Sequence, residues 1–345
     1  MGCRRASAVA ALRPSWVGLA RLVKAAILSI VAAMGWHGGA FAADVGVASY
    51  FRSLPAGDRI LHGVEVDGRY RRVQHIVALR GGTFECAATL IEPDIVDGRV
   101  IGWNVRDWPL PEGGQPNTID YPHWAVTAAH CVVDVDPGAL YVISGALQVG
   151  AADIGIRQPV SDVIRPDGRF GVGRFGIFTR ANDIALLYLA GPVPFGDGST
   201  DFRPHSIGFP EGRDWMTAPY AAAIVAGWGL TETGEASGDL LETVLPLVDM
   251  ATCAPVLLKD ESTHLAPPAN TLCAGFSTGG YDSCTGDSGG PLFHRSGKAS
   301  SPVLLGVLSW GTECSAGGSY GVYTDVAKLE GWMKSMIEDH LKQPD

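Results

Sequence analysis

From Ile60 onward the apolar positions fall in short β-branched or aliphatic runs, each broken by Gly, Pro or Asp. The runs lie at residues 75–79, 125–129, 141–144, 184–189, 222–226, 303–309 and 321–325. Many short strands separated by turn residues predict an all-β barrel or sandwich. Helical period is found only near the C-terminus, where Leu329, Trp332, Met333, Met336 and Ile337 recur at the i, i+3, i+4, i+7 and i+8 spacing of a packing helix. Residues 191–210, rich in Gly and Pro, read as a linker. Residues 92–123 hold no such run but include Trp103, Trp108, Tyr121 and six acids. So long a segment reads as a surface loop that is functional or mobile.

The first 42 residues are set apart from the fold. Arg4, Arg5, Arg13, Arg21 and Lys24 precede an apolar stretch at residues 25–34 and the small-residue site Ala40-Phe41-Ala42. That pattern predicts a signal peptide cut near Ala42, the stretch being too short to span a bilayer. An uncleaved anchor is the alternative. The start Met-Gly-Cys lacks the Ser or Thr an acylation signal places at position 6, which is Ala6 here. The leader holds five cations and no acid, so its loss takes the net charge from −10 to −15. Such a surface argues against nucleic acid as a partner and for solubility.

Six cysteines lie beyond the leader: Cys86, Cys131, Cys253, Cys273, Cys284 and Cys314. An even count in an exported chain implies a disulfide framework, and spacing leaves fifteen pairings open. No Cys-x2-Cys pair or His-x3-His run accompanies them, so neither a structural metal nor a cofactor is expected.

Three stretches carry chemistry. Thr127-Ala128-Ala129-His130-Cys131 supplies an imidazole, Asn182-Asp183-Ile184-Ala185 a carboxylate, and Gly286-Asp287-Ser288-Gly289-Gly290-Pro291 a hydroxyl. Singly, they would read as a half-buried histidine, a strand-end charge and a turn. Together they are the parts of a nucleophilic hydrolase, because a serine hydroxyl needs a base to take its proton and an acid to orient that base. In this order and context the chain resembles the chymotrypsin family of trypsin-like serine proteases.

The resemblance implies two antiparallel β-barrels, at about residues 60–195 and 196–325, with a C-terminal α-helix at about 326–341. The active site would lie between the barrels, His130 and Asp183 coming from the first and Ser288 from the second. It implies the disulfides Cys86–Cys131, Cys253–Cys273 and Cys284–Cys314. Ser288 would attack the scissile carbonyl, His130 would move the proton and Asp183 would orient the imidazole. The backbone N–H groups of Gly286 and Ser288 would form the oxyanion hole. Ser309 would help hold the aspartate and, with Trp310 and Gly311, offer backbone to an extended substrate. Asp282 would form the base of a pocket walled by Gly311 and Gly321, selecting Arg or Lys. Glu313 stands where relatives carry a small residue, and Tyr320 is the residue type of sodium-responsive relatives. The usual calcium loop has no counterpart, since residues 144–154 hold one acid, Asp153.

Arg59-Ile60 resembles an activation site, with residues 43–59 as propeptide. The new amine at Ile60 would pair with Asp287, and His62 departs from the usual small residue. Residues 92–123, where relatives have only a few, fit the family poorly; lying between Cys86 and the histidine motif, they are expected near the rim of the cleft, where they would restrict entry or be a decorative insertion. The expected protein is a secreted or periplasmic monomer acting on polypeptides and open to proteinaceous inhibitors. A catalytically silent binding protein on the same scaffold, or a protease of different primary specificity, is the rival.

Overall fold

The computed structural model describes residues 64–65, 75–79, 83–103, 123–145, 148, 156–167, 176, 180–193, 214–231, 235, 237–259, 266–279, 283, 286–294, 302–311 and 320–343. All of them lie in one compact unit, Tyr50–Asp345. In chain order the strands are β1 (Val64–Glu65), β2 (His75–Leu79), β3 (Thr83–Ile91), β4 (Pro93–Val96), β5 (Arg99–Trp103), β6 (Trp124–Thr127), β7 (Leu140–Ser144), β8 (Ile156–Ile164) and β9 (Ala185–Leu189). The second half contributes β10 (Ala222–Gly227), β11 (Leu241–Val248), β12 (Thr271–Ala274), β13 (Pro291–His294), β14 (Val303–Gly311) and β15 (Gly321–Asp325). Two α-helices are present among the described residues, α1 (Met250–Lys259) and α2 (Val326–His340).

Strands β2, β3, β6, β9, β8 and β7 close into an antiparallel barrel. Its interior takes Leu90, Val126, Val142, Leu187 and Leu189, each at most 1% exposed. The second sheet runs β1-β11-β10-β13-β14-β15-β12 and turns back on itself where β11 pairs with β12. Val225, Leu245, Leu292, Leu305 and Tyr323 fill it. The expected all-β, two-barrel architecture with a C-terminal helix is the one observed.

Helix α2 follows the second barrel in sequence yet packs into the core of the first. Leu329, Trp332, Met333, Met336 and Ile337 join the cluster that includes Leu90 and Trp124. Asp325 caps the helix, its side chain accepting from the N–H groups of Ala327 and Lys328. The cap satisfies donors that would otherwise be orphaned at the helix start. Asp325 is only 6% exposed, and that burial raises its pKa above the ordinary 3.8, against the lowering effect of the Lys328 N–H.

Two features depart from the sequence expectations. Helix α1 lacks an obvious helical period and carries Pro255 inside it. It forms because Asp249 accepts from the Thr252 N–H and hydroxyl, which also holds the Asp249 carboxyl below its ordinary range. Cys253 and Leu257, four residues apart, then bury one face against Cys273, Tyr320 and Val322.

The second departure is the 92–123 segment. Its described part is a hairpin, β4 paired with β5 through the two-residue turn Asp97-Gly98, both at positive φ. An Asp-Gly turn of that kind matches the twist of flanking strands. The hairpin rests on α2: the Val100 N–H donates to Glu338 and the Trp103 indole to Glu330. The expected position at the cleft rim is therefore corrected for residues 92–103. Ile91 and Trp124, which flank the segment, are paired across β3 and β6. Trp124 meets the His340 ring of α2, so the segment leaves the barrel beside that helix. Residues 104–122 lie outside the described residues, as do residues 1–42, the 43–59 segment and most of 191–210.

Candidate active site

His130 sits in a short 3-10 turn, Ala129–Val132, directly after β6. Asp183 lies just before β9, the strand paired with β6, so adjacent strand ends bring the two together. The Asp183 side chain is fully buried and the His130 side chain is 17% exposed. One carboxylate oxygen of Asp183 accepts from the His130 backbone N–H at 2.8 Å, and the other meets Nδ1 of the ring at 2.7 Å. Ser309 on β14 donates to that second oxygen at 2.5 Å. A buried carboxylate is costly unless its lone pairs are satisfied, and here three donors from two barrels converge on it. The arrangement leaves Nδ1 engaged and turns Nε2 to the opposite side of the ring.

The serine arrives on a tight loop between residues 286 and 290. Gly286 and Gly289 have φ of 100° and 80°, in the region that favours glycine. Gly290 N–H closes the turn on the Asp287 carbonyl, while Gly289 N–H and Gly290 carbonyl pair with Leu308 of β14. On its other side the loop meets the first barrel, the Ser288 carbonyl accepting from the Ala87 N–H at 2.8 Å. The Ala87 carbonyl accepts from the Thr127 hydroxyl, three residues before His130. Cys86, beside Ala87, is disulfide-bonded to Cys131, beside His130. The histidine turn and the serine loop are thus tied to the same two residues of β3.

Asp287, beside the serine, is buried and only 3% exposed. Its carboxylate accepts from the Gly229 N–H at 2.8 Å. A Cβ at Gly227 or Gly229 would overlap that carboxylate, so the two glycines make the room it occupies. Ser283, Leu308 and Tyr323 line a crevice beside it that is too tight to admit a water molecule. Ser283 and Tyr323 share a hydrogen bond at 3.0 Å, and a Cβ at Gly321 would crowd the Tyr323 ring. Ser309, half-buried Trp310 and Gly311 end β14, with Gly311 opposite Gly321 on β15. Asp282, Arg59, Ile60, Cys284, Cys314 and Glu313 lie outside the described residues. Burial, with help from Tyr220 and Asp249, pushes the Tyr320 hydroxyl above its ordinary pKa.

Cys253 and Cys273 are also disulfide-bonded, fastening α1 to β12. Each such closure is worth about 2–4 kcal/mol. The sulfurs of Cys86 and Cys131 lie with a His130 ring nitrogen inside a 4.8 Å cluster, but a sulfur already in a disulfide supplies no thiolate to a metal.

Sequence reasoning passed over several residues of this site. Thr324 donates its hydroxyl to the Asp183 carbonyl at 2.8 Å, and Asn270 donates its side-chain amide to Asn182 at 3.2 Å. No local motif marks either one. Asn182 had a signal in its position beside Asp183, and Ser283 in its position between Asp282 and Cys284.

Two barrels that share a buried Asp–His pair and a glycine-built serine loop, both tied to the same strand, define the trypsin fold. A sequence model of the trypsin family matches residues 118–333, and the chain belongs to that family of serine proteases. It is 34% identical over 255 residues to Serine protease 56 of Homo sapiens, covering 70% of this chain and 39% of that protein. It is 31% identical over 298 residues to the vitellin-degrading protease of Bombyx mori, covering 85% of this chain and 91% of that one. Coagulation factor IX of Cavia porcellus is 35% identical over 212 residues, 61% of this chain and 68% of the relative. The chain thus spans well under half of the human relative. Among the described residues no helix is long and apolar enough to cross a membrane.

Proposed function

We propose that the chain is a serine endopeptidase that hydrolyses polypeptides after Arg or Lys through an acyl-enzyme. The observation that carries this is the buried Asp183 holding His130 Nδ1 at 2.7 Å, on a turn joined through Cys86 and Ala87 to the Ser288 loop. Ser288 Oγ attacks the scissile carbonyl carbon while His130 Nε2 takes its proton. The negative oxygen that forms is met by the N–H groups of Gly286 and Ser288. His130 then returns the proton to the amine as the C–N bond breaks, leaving an ester on Ser288. Water, deprotonated by the same imidazole, releases the new carboxyl terminus.

Asp282 stands six residues before Ser288, and a carboxylate there would hold a guanidinium or ammonium. Ser283, Gly311, Gly321 and Tyr323 frame the neighbouring space, and the polypeptide pairs with the end of β14 at Ser309, Trp310 and Gly311. The chain is exported by residues 1–42 and kept inactive by residues 43–59. Cleavage after Arg59 frees an amine at Ile60 that pairs with Asp287; the buried Asp287 carboxylate and the pairing of β1 with β11 support that route. Residues Cys284 and Cys314 form the third disulfide. In a secreted or periplasmic setting such an enzyme meets proteinaceous inhibitors as well as substrates.

The test is a pair of reporter peptides, one ending in Arg and one in Phe, offered to the form that begins at Ile60. Turnover of the Arg peptide that is lost in Ser288→Ala and Asp282→Ala is expected. Turnover of the Phe peptide alone would overturn the specificity, and turnover of neither would overturn the enzyme assignment.

A further inference from the structure

Asp183 belongs to the first barrel by sequence, yet much of what holds it comes from the second. Its carbonyl accepts from Thr324 on β15, and its carboxylate from Ser309 on β14. The preceding residue, Asn182, accepts through its side chain from Asn270, which stands at the start of β12. Thr271 and Thr324 are register partners, and the Asn270 carbonyl accepts from the Asp325 N–H. The end of the β12–β15 pair therefore presents two donors, one to each residue of the Asn182-Asp183 dipeptide.

Both asparagines are in the left-handed region, with φ of 52° at Asn182 and 63° at Asn270. Asparagine tolerates that region better than most residues, but the conformation is still unfavourable relative to the ordinary helical or extended wells. Two such residues meeting side chain to side chain across a barrel boundary is backbone strain concentrated at a site. Asn182 is 7% exposed, so the bond sits where water competes poorly. Its chemistry suits the neighbourhood. A cation at position 270 would compete with His130 for Asp183 and an anion would repel the carboxylate, whereas an amide gives direction with no net charge.

We infer that Asn270 and Thr324 are positioning residues that index Asp183, and through it His130, to the barrel carrying Ser288. Given the triad proposed above, they set the distance and angle between acid and nucleophile without touching substrate. Misplacement by a fraction of an ångström costs rate, not substrate affinity.

The experiment uses the full chain processed at Ile60. Asn270→Gly removes the amide while keeping a backbone at ease with positive φ, Thr324→Val removes the hydroxyl at nearly constant shape, and Thr324→Ser restores it. Labelling of the wild type by a serine-directed phosphonate is the control, and its failure would sink the triad itself, not the positioning pair. With labelling established, kcat should fall about tenfold in Asn270→Gly and Thr324→Val with KM within about twofold, and Thr324→Ser should recover most of it. Asn270→Gly carries the test if Thr324→Val does not fold. An unchanged kcat in Asn270→Gly, or a rise in KM alone, would overturn the inference even if the melting temperature dropped.

Discussion

On the first-barrel side of the site, Asp183 and His130 are held by side-chain hydrogen bonds; on the second-barrel side, Ser288 is held by backbone that leaves its neighbours no room for a Cβ. The Asp183 carboxylate meets the His130 N–H, the His130 ring and the Ser309 hydroxyl. The Ser288 loop instead rests on positive-φ glycines and on Gly227 and Gly229, which make space for Asp287. The difference separates two ways of damaging the site. Polar deletions on the first side should cost rate while the fold survives, and small additions of volume on the second should disturb fold and rate together.

The largest effect is expected from Asp183→Asn. The ring loses its acceptor and adopts the wrong tautomer, so kcat should fall about 10⁴-fold, the size such a change has in a Ser-His-Asp triad. Thermal melts should change far less than kcat. Next comes Gly227→Ala. Its methyl would overlap the Asp287 carboxylate, so a loss of about 1–3 kcal/mol in denaturant unfolding should accompany a drop in kcat/KM. A Gly227→Ala protein as stable and active as the wild type would erase the contrast between the two sides.

Trp103→Phe probes a region that belongs to neither side. It keeps the ring packed on α2 but removes the indole donor to Glu330, and should cost about 1 kcal/mol of stability with kcat unchanged. A change in kcat would return the hairpin to the cleft.

Asp325→Asn is the mildest probe. Burial raises the Asp325 pKa, so the folded chain binds that proton more tightly than the unfolded one. Its ionisation therefore costs nothing well below pH 3.8, and the cost grows as pH rises through the folded value. Asparagine keeps the cap acceptor and never ionises. Stability measured across the acid range should thus favour the variant increasingly as pH rises through that window, then level off.

Much of this architecture was legible in the chain. The run at residues 321–325 coincides with β15, that at 141–144 falls within β7, and the heptad-like spacing of Leu329 to Ile337 marks the buried face of α2. His130, Asp183 and Ser288 stood out because each lies in a local motif. Helix α1 was hidden because it is organised by a cap at Asp249 and a disulfide at Cys253, not by a long periodic face. The 93–103 hairpin was hidden although Asp97-Gly98 announced its turn, because the residues anchoring it, Glu330 and Glu338, lie more than 200 positions away. Asn270 and Thr324 escaped for the same reason: their roles exist only once β12 and β15 come together beside the start of β9.

Mass analysis of the Ile60 form after exposure to a serine-directed phosphonate tests the central claim most directly. The account predicts a single adduct on Ser288, absent in Ser288→Ala and strongly slowed in His130→Ala. A folded, processed protein that takes up no label, or labels Ser288 at the same rate without His130, would contradict it.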